Sequence, residues 1–214
     1  MKLNICEMFF SIQGESTWSG FSSFFIRCSG CNLDCSYCDT KYAKVIKKEI
    51  KISEIISKLE KFKFHHITLT GGEPLLQENI YFLIEKLGEK NYKVLVETNG
   101  SLSIEKLSTY PFVKIVMDIK CPNSRMQKFN LWENLVFLRE KDEIKFVILD
   151  KVDYEWAKNI INSKNINCII NFSPVWETDF KKLSEWILKD QLSVRLNLQI
   201  HKFIWKNEKE GVRL

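Results

Sequence analysis

A chain of 214 residues with 45% hydrophobic and 13% aromatic side chains has enough apolar material for one ordinary domain and is far from a disordered composition. No run of about 18 apolar residues occurs, and the start MKLNICEMFF lacks the basic, apolar and small-residue succession of a secretion signal, so a cytoplasmic protein that spans no membrane is expected. The net charge of +5 is carried by lysines scattered among glutamates, the pattern of solvated faces rather than of a nucleic-acid footprint.

Taken in chain order, Ser23–Arg27 reads as a first strand and is followed by a cysteine-rich loop. Residues 53–61 carry Ile55, Ile56 and Leu59 at helical spacing, with Ser53 as the expected N-cap. His66–Thr70 is a strand that stops at Gly71–Gly72, and Asn79–Leu87 returns as helix. Strands are expected at Lys93–Thr98, Val113–Asp118, Glu143–Leu149, Cys168–Ser173 and Val194–Leu198, with helices near Tyr154–Ile161 and Phe180–Leu188 between the last three. Such alternation implies right-handed crossovers and a parallel sheet. About six βα units are too few for a closed eight-stranded barrel. The expected fold is therefore α/β, a partial, open parallel β/α barrel formed by one domain over 1–214.

Candidate chemical residues cluster just after the strands. They are the cysteines, Thr70–Gly72–Glu73, Glu97–Asn99, Asp118–Lys120 and Ser173–Pro174. In parallel α/β architectures the site forms at the carboxyl ends of strands, so distant segments are expected to converge on one face.

An odd count of seven cysteines without a secretion signal argues against a disulfide framework. Four of them crowd into the segment Cys28–Cys38, and Cys31, Cys35 and Cys38 have the spacing CxxxCxxC. Three thiolates can hold three irons of a 4Fe–4S cubane and leave the fourth open, whereas four-cysteine clusters are saturated electron carriers. The competing readings are a zinc knuckle, which needs a fourth ligand such as Cys28, and unligated thiols. Cys28 sits at a strand end and reads as a buried core thiol.

The cysteine motif, with aromatic Tyr37 before its last cysteine, resembles that of the radical S-adenosylmethionine (SAM) superfamily. So does Thr70-Gly71-Gly72-Glu73-Pro74, the glycine-rich strand end further along the chain. The resemblance implies a 4Fe–4S cluster whose open iron chelates SAM, reductive cleavage of SAM to a 5′-deoxyadenosyl radical, and abstraction of a substrate hydrogen. It also implies SAM contacts from Tyr37, Cys38, Asp39, Gly72, Glu73, Asp118, Ile119, Lys120 and Ser173.

The flanking segments narrow the resemblance to the 7-carboxy-7-deazaguanine synthases. They are Phe10-Ser11-Ile12-Gln13-Gly14-Glu15-Ser16, Phe24-Phe25-Ile26-Arg27, Asp39-Thr40 and Leu198-Gln199-Ile200-His201-Lys202. Together they carry the likeness from Ile5 to about Trp205. The resemblance implies that 6-carboxy-5,6,7,8-tetrahydropterin is rearranged to 7-carboxy-7-deazaguanine with loss of ammonia, in a queuosine or related deazapurine pathway. It further implies that Arg27 pairs the substrate carboxylate in a forked geometry. On the same ground Ile12, Gln13 and Gly14 bond its aminopyrimidinone edge, Thr70 and Glu15 are further substrate contacts, and Thr40 gives an oxygen to Mg²⁺. A flavodoxin-type electron donor, a homodimer and no bound nucleic acid are expected. This chain has Asp118-Ile119-Lys120 where many such proteins have Ser-Pro-Lys. The alternatives are an activase that places a glycyl radical on a partner protein, and a non-catalytic iron–sulfur or zinc module.

Overall fold

Every second side chain of the central strands is apolar and points to the core, while most of the residues between them are polar (Leu95, Val116 and Val147 excepted), and this alternation sets the architecture. The computed structural model describes residues 1–45 and 48–206. Its strands are β1 (Lys2–Ile12), β2 (Ser22–Cys28), β3 (Lys48–Lys51), β4 (His66–Gly71), β5 (Lys93–Thr98), β6 (Val113–Ile119), β7 (Glu143–Ile148), β8 (Ile169–Pro174) and β9 (Arg195–Leu196). The helices are α1 (Ile52–Leu59), α2 (Ile80–Glu89), α3 (Glu105–Ser108), α4 (Lys151–Ser163), α5 (Phe180–Lys189) and α6 (Ile200–Trp205).

The strands form one sheet of order β3-β1-β2-β4-β5-β6-β7-β8-β9. From β2 to β9 all neighbours are parallel, as expected for an open barrel. β1 runs antiparallel to both β2 and β3, so the first strand is not Ser23–Arg27 but Lys2–Ile12, and the sheet is mixed at that edge. Three 3-10 turns, Pro122–Ser124, Gln127–Phe129 and Trp132–Phe137, replace a full helix between β6 and β7. The buried Asn134 holds that connection by donating to the carbonyls of Gly100 (3.1 Å) and Leu102 (2.9 Å) and accepting from the N–H of Ile104 (3.1 Å).

The apolar set of the sheet, including Ile26, Leu69, Val96, Ile115, Met117, Ile144, Phe146 and Phe172, packs on the helices as one core. α1 contributes Ile55, Ile56 and Leu59, each stabilising by roughly 1.5–3 kcal/mol on burial. Ser53 is not its N-cap. β3 runs straight into the helix, Lys51 takes the capping position, and the Ile52 N–H donates to the Met1 carbonyl at 3.1 Å. α4 begins earlier than the spacing implied because Asp150 caps it, accepting from the N–H groups of Val152 (2.9 Å) and Asp153 (3.2 Å).

The opposite set, Arg27, Thr70, Glu97, Asp118, Lys145 and Ser173, lines the concave face. β1 joins this scheme through an irregularity. A register shift between Ile5 and Glu7 reverses its phase, so that Leu3 and Ile5 belong to the core while Phe9 and Ser11 face the concavity.

Candidate active site

A cavity of about 760 Å³ opens on the concave face, where the carboxyl ends of β2, β4, β5, β6, β7 and β8 meet. It is lined by Cys31, Cys35, Cys38, Tyr37, Asp39, Thr40, Ile12, Gln13, Glu15, Arg27, Thr70, Gly72, Asp118, Lys120 and Ser173, so nearly every residue singled out from sequence converges there. Gly14, Glu73 and Ile119 do not line it.

The cysteine loop is held from several sides. Gly30 N–H donates to the Ala43 carbonyl at 2.7 Å, Glu73 N–H donates to the Gly30 carbonyl at 2.8 Å, and Tyr37 donates through its hydroxyl to the Val147 carbonyl at 3.2 Å. Ser36 Oγ donates to the Asn123 carbonyl at 2.5 Å. All three motif cysteines are free thiols of intermediate exposure. Burial pushes the Cys35 thiol up, with Lys120 opposing. Among the described residues no three His, Cys, Asp or Glu side chains gather around one point as a single metal ion would need. A cubane instead spreads its thiolates over separate irons, and three thiols opening on one cavity suit that group. Cys28 is fully buried against the sheet, its thiol pushed up to about 12 by burial, and it belongs to the core.

Glu73 serves the loop from beneath. Its buried carboxylate accepts from Thr98 Oγ1 (2.8 Å) and the N–H groups of Leu75 (3.0 Å) and Asn99 (2.6 Å), while burial raises it above the usual glutamate value. These bonds occupy the side chain, which joins the ends of β4 and β5 and leaves the contact with the cavity to Gly72. A Cβ on Gly72 would lie 1.9 Å from the Gly30 carbonyl oxygen, so only glycine permits this approach to the cysteine loop.

Opposite the cysteines is a charged floor. Lys145 donates to Glu15 Oε2 at 2.8 Å, and Gln199 donates to Glu15 Oε1 at 2.6 Å. Burial raises the Glu15 carboxyl, but Lys145, with His201 and Gln199, outweighs it and holds the group below its ordinary value. Burial pulls Lys145 down, yet Glu15, Asp118 and Glu97 together hold it above the usual lysine range. Glu97 accepts from Thr70 Oγ1 (2.8 Å) and Gln13 Nε2 (3.3 Å), and burial raises its carboxyl. Gln13 also donates to Thr68 and accepts from the Glu15 N–H, so its amide is committed within the protein.

Arg27 pairs with Glu7, its Nε 2.7 Å from Glu7 Oε1, which also accepts from the Tyr42 hydroxyl at 2.9 Å. Phe9 and Tyr42 flank the guanidinium at 5.8 and 5.9 Å. Glu7 takes the Nε edge, and the two terminal amino groups have no hydrogen-bond partner among the described residues.

Asp118 Oδ2 accepts from Lys120 at 2.8 Å, while its Oδ1 is buried without a hydrogen bond. That orphaned acceptor beside the cysteines is an independent sign of a ligand with a donor. Thr40 Oγ1 stands 3.8 Å from Cys38 Sγ, and Asp39 is paired with Lys202 at 2.9 Å. Thr40 thus presents one neutral oxygen to the cavity.

His201 lies in α6, just beyond the expected strand Val194–Leu198, and Gln199, His201 and Lys202 all line the cavity. Its imidazole packs on Gly14, where a Cβ would lie 1.9 Å from Nδ1. Burial pushes His201 below the usual histidine value. Lys145, Glu7 and Tyr42 join the site although no motif marks them. Lys145 had a signal: a lysine inside an apolar strand is rarely buried unless paired.

Residues 25–172 match the sequence model of the radical SAM superfamily. The chain is 39% identical to the 7-carboxy-7-deazaguanine synthase of Chlorobaculum tepidum, covering 98% of this chain and 97% of that one. It is 40% identical to the protein of the same name from Clostridium acetobutylicum, over 99% and 100% of the two chains. In fold it is similar to the crystal structure of QueE from Escherichia coli, with a TM-score of 0.73 at 22% identity over 93% and 94% of the chains.

Proposed function

The chain belongs to the 7-carboxy-7-deazaguanine synthase family of radical SAM enzymes, and from that premise we propose the role of each residue in its cavity. The reaction is the contraction of 6-carboxy-5,6,7,8-tetrahydropterin to 7-carboxy-7-deazaguanine with loss of ammonia, using a 4Fe–4S cluster, SAM and Mg²⁺. One observation carries the assignment of parts: Cys31, Cys35 and Cys38 open on the same cavity as Arg27 and the Glu15–Lys145 pair.

Cys31, Cys35 and Cys38 hold the cluster. When bound, the cluster and SAM supply the one-electron chemistry that removes a hydrogen from the substrate. Gly72 brings backbone close to the methionyl end of SAM, and the orphaned Asp118 Oδ1 accepts from its nucleoside. Asp118 thereby fills the place of the shorter serine common in relatives. Tyr37, Asp39, Lys120 and Ser173 complete the wall on that side.

Arg27 presents its two terminal amino groups to the substrate carboxylate while Glu7 fixes the remaining edge. Because the Gln13 amide is spent internally, the aminopyrimidinone edge is left to the Ile12 backbone and the carboxylates of Glu15 and Glu97. Thr40 contributes one oxygen to Mg²⁺. α6, with His201 and Lys202, covers one side of the cavity and limits water. The substrate is a free pterin, so no nucleic acid enters. A one-electron donor of the flavodoxin type, a homodimeric state and a cytoplasmic location complete the proposal, supported by the family resemblance. Among the described residues no helix is long and apolar enough to cross a membrane.

The test is an anaerobic assay of iron-reconstituted protein with SAM, Mg²⁺, a strong reductant and 6-carboxy-tetrahydropterin, with products followed by mass spectrometry. The expected product is 7-carboxy-7-deazaguanine. SAM cleavage with the pterin left intact would remove the substrate assignment. Cys31→Ala, Cys35→Ala and Cys38→Ala should each lower bound iron, and Cys168→Ala, just before β8 and away from the cavity, should not.

A further inference from the structure

Asn99 is the polar side chain at the end of β5 that reaches the motif cysteines. Its Nδ2 lies 3.8 Å from Cys31 Sγ and 3.0 Å from Asn32 Oδ1. The amide cannot turn over, because its Oδ1 accepts from both the N–H (3.0 Å) and the Oγ (2.6 Å) of Ser101. The residue's own N–H donates to Glu73 Oε2 at 2.6 Å. Asn99 is thus clamped on three sides, with one amide hydrogen directed at sulfur. Cys31 Sγ receives a second donor, the Leu33 N–H at 3.5 Å.

We propose that Asn99 tunes the reduction potential of the cluster by donating a hydrogen bond to the Cys31 thiolate. The inference rests on the assignment of Cys31 as a cluster ligand. A donor at a ligating sulfur stabilises the more electron-rich, reduced cluster more than the oxidised one, and so raises the potential. N–H···S distances are longer than N–H···O ones because sulfur is larger and softer, and 3.8 Å is a contact of that kind. The rigid clamp matters here, because a donor fixed in place in a site of low dielectric acts more strongly than one free to turn to water. Asn99 also lines the cavity on which Cys31, Cys35 and Cys38 open.

The test is an anaerobic spectroelectrochemical titration of the reconstituted protein, with iron content measured in parallel. Asn99→Asp keeps the shape and the Ser101 acceptor but replaces the donor with a carboxylate. Asn99→Ser retains a polar group at the turn that is too short to reach sulfur and adds no charge. Both should retain iron and show a potential lower than wild type, by about 59 mV for each tenfold loss in the one-electron reduction equilibrium. Asn32→Ala removes the competing acceptor and should leave the potential unmoved. Unchanged potentials in both Asn99 variants would overturn the proposal, as would an equal shift in Asn32→Ala. Loss of iron from both Asn99 variants would also overturn it, by assigning Asn99 to retention of the cysteine loop. Iron that survives Cys31→Ala would instead overturn the ligand assignment on which the inference stands.

Discussion

Lys145 Nζ stands 2.8 Å from Glu15 Oε2, joining the middle of β7 to the loop after β1 across the floor of the cavity. Both side chains are nearly excluded from solvent, at 14% and 9% exposure, so each depends on the other for charge compensation. Lys145→Met would leave Glu15 beside the half-buried Glu97 with only Gln199 as a donor. Breaking one side of such a pair typically costs about 3–5 kcal/mol. We expect a loss of that order in urea denaturation of the reduced apoprotein. The double variant Lys145→Met/Glu15→Gln should recover much of it, since no unpaired charge remains. Additive losses would show that the two groups are not coupled.

Glu143 forms a second buried centre at the start of β7, away from the cysteines. Its Oε1 accepts from Thr17 N (2.9 Å), Thr17 Oγ1 (2.7 Å) and Lys114 (2.9 Å), and its Oε2 from Asn171 (2.6 Å). Burial raises the carboxyl, but these donors prevail and hold it below the ordinary value of 4.5. Between the folded value and 4.5 the unfolded chain binds more protons, so stability falls as pH drops through that window. The contribution is complete above 4.5. Glu143→Gln should therefore cost about 3 kcal/mol at neutral pH and flatten the acid limb of the stability profile. Urea midpoints measured from pH 7 down to 3 check this (roughly the range over which carboxylates titrate), and an acid limb as steep as wild type would contradict it.

Arg27 can serve Glu7 and a ligand together only because its guanidinium has distinct edges. A lysine at this position has one ammonium for both tasks. Arg27→Lys should raise KM for the pterin about ten- to a hundredfold, the value of a lost charge-assisted hydrogen bond of about 1.5–3 kcal/mol, with a smaller change in kcat. Glu7→Gln keeps an acceptor for Nε and should raise KM by less than about tenfold. Steady-state kinetics with pterin as the varied substrate decide it. An unchanged KM in Arg27→Lys would remove the carboxylate assignment.

The legible parts of the molecule were those carried by local pattern. Alternation in β4, β5 and β6 places Thr70, Glu97 and Asp118 on one face with Leu69, Val96 and Met117 on the other, and the sequence shows that period directly. The cysteine spacing and Gly71–Gly72 are equally local. β1 is illegible from pattern because its register shift between Ile5 and Glu7 breaks the two-residue period, and the same shift hides Glu7 as the partner of Arg27. α6 is not legible because it follows directly on the apolar residues of Val194–Leu198, which read as strand, whereas its docking on Gly14 is a contact between the two ends of the chain. Lys145, Glu15 and Gln199 come together only through such long-range pairing. A segment-by-segment reading names the pieces and leaves their junction unseen.

Gly14 and Gly72 make opposite demands on their neighbours, which gives a paired prediction. At Gly72 an added Cβ would meet the Gly30 carbonyl at 1.9 Å and the Cys31 Cβ at 3.0 Å. Backbone cannot yield there without moving the cysteine loop, so Gly72→Ala should lose cluster iron. At Gly14 all three close neighbours belong to the His201 side chain, the nearest being Nδ1 at 1.9 Å. The imidazole ring can swing away by side-chain rotation, at a cost of order 0.5–1.5 kcal/mol when it is forced off a rotamer, which leaves only the His201 Cβ at 2.9 Å to yield by a small shift. Gly14→Ala should therefore keep its iron and fold, while displacing His201 from the cavity wall and lowering the rate of pterin turnover. In Gly14→Ala/His201→Gly none of those three atoms remains, so the double variant should turn over no more slowly than His201→Gly alone. A further loss in the double variant would mean that Gly14 meets the substrate itself and does not act through His201.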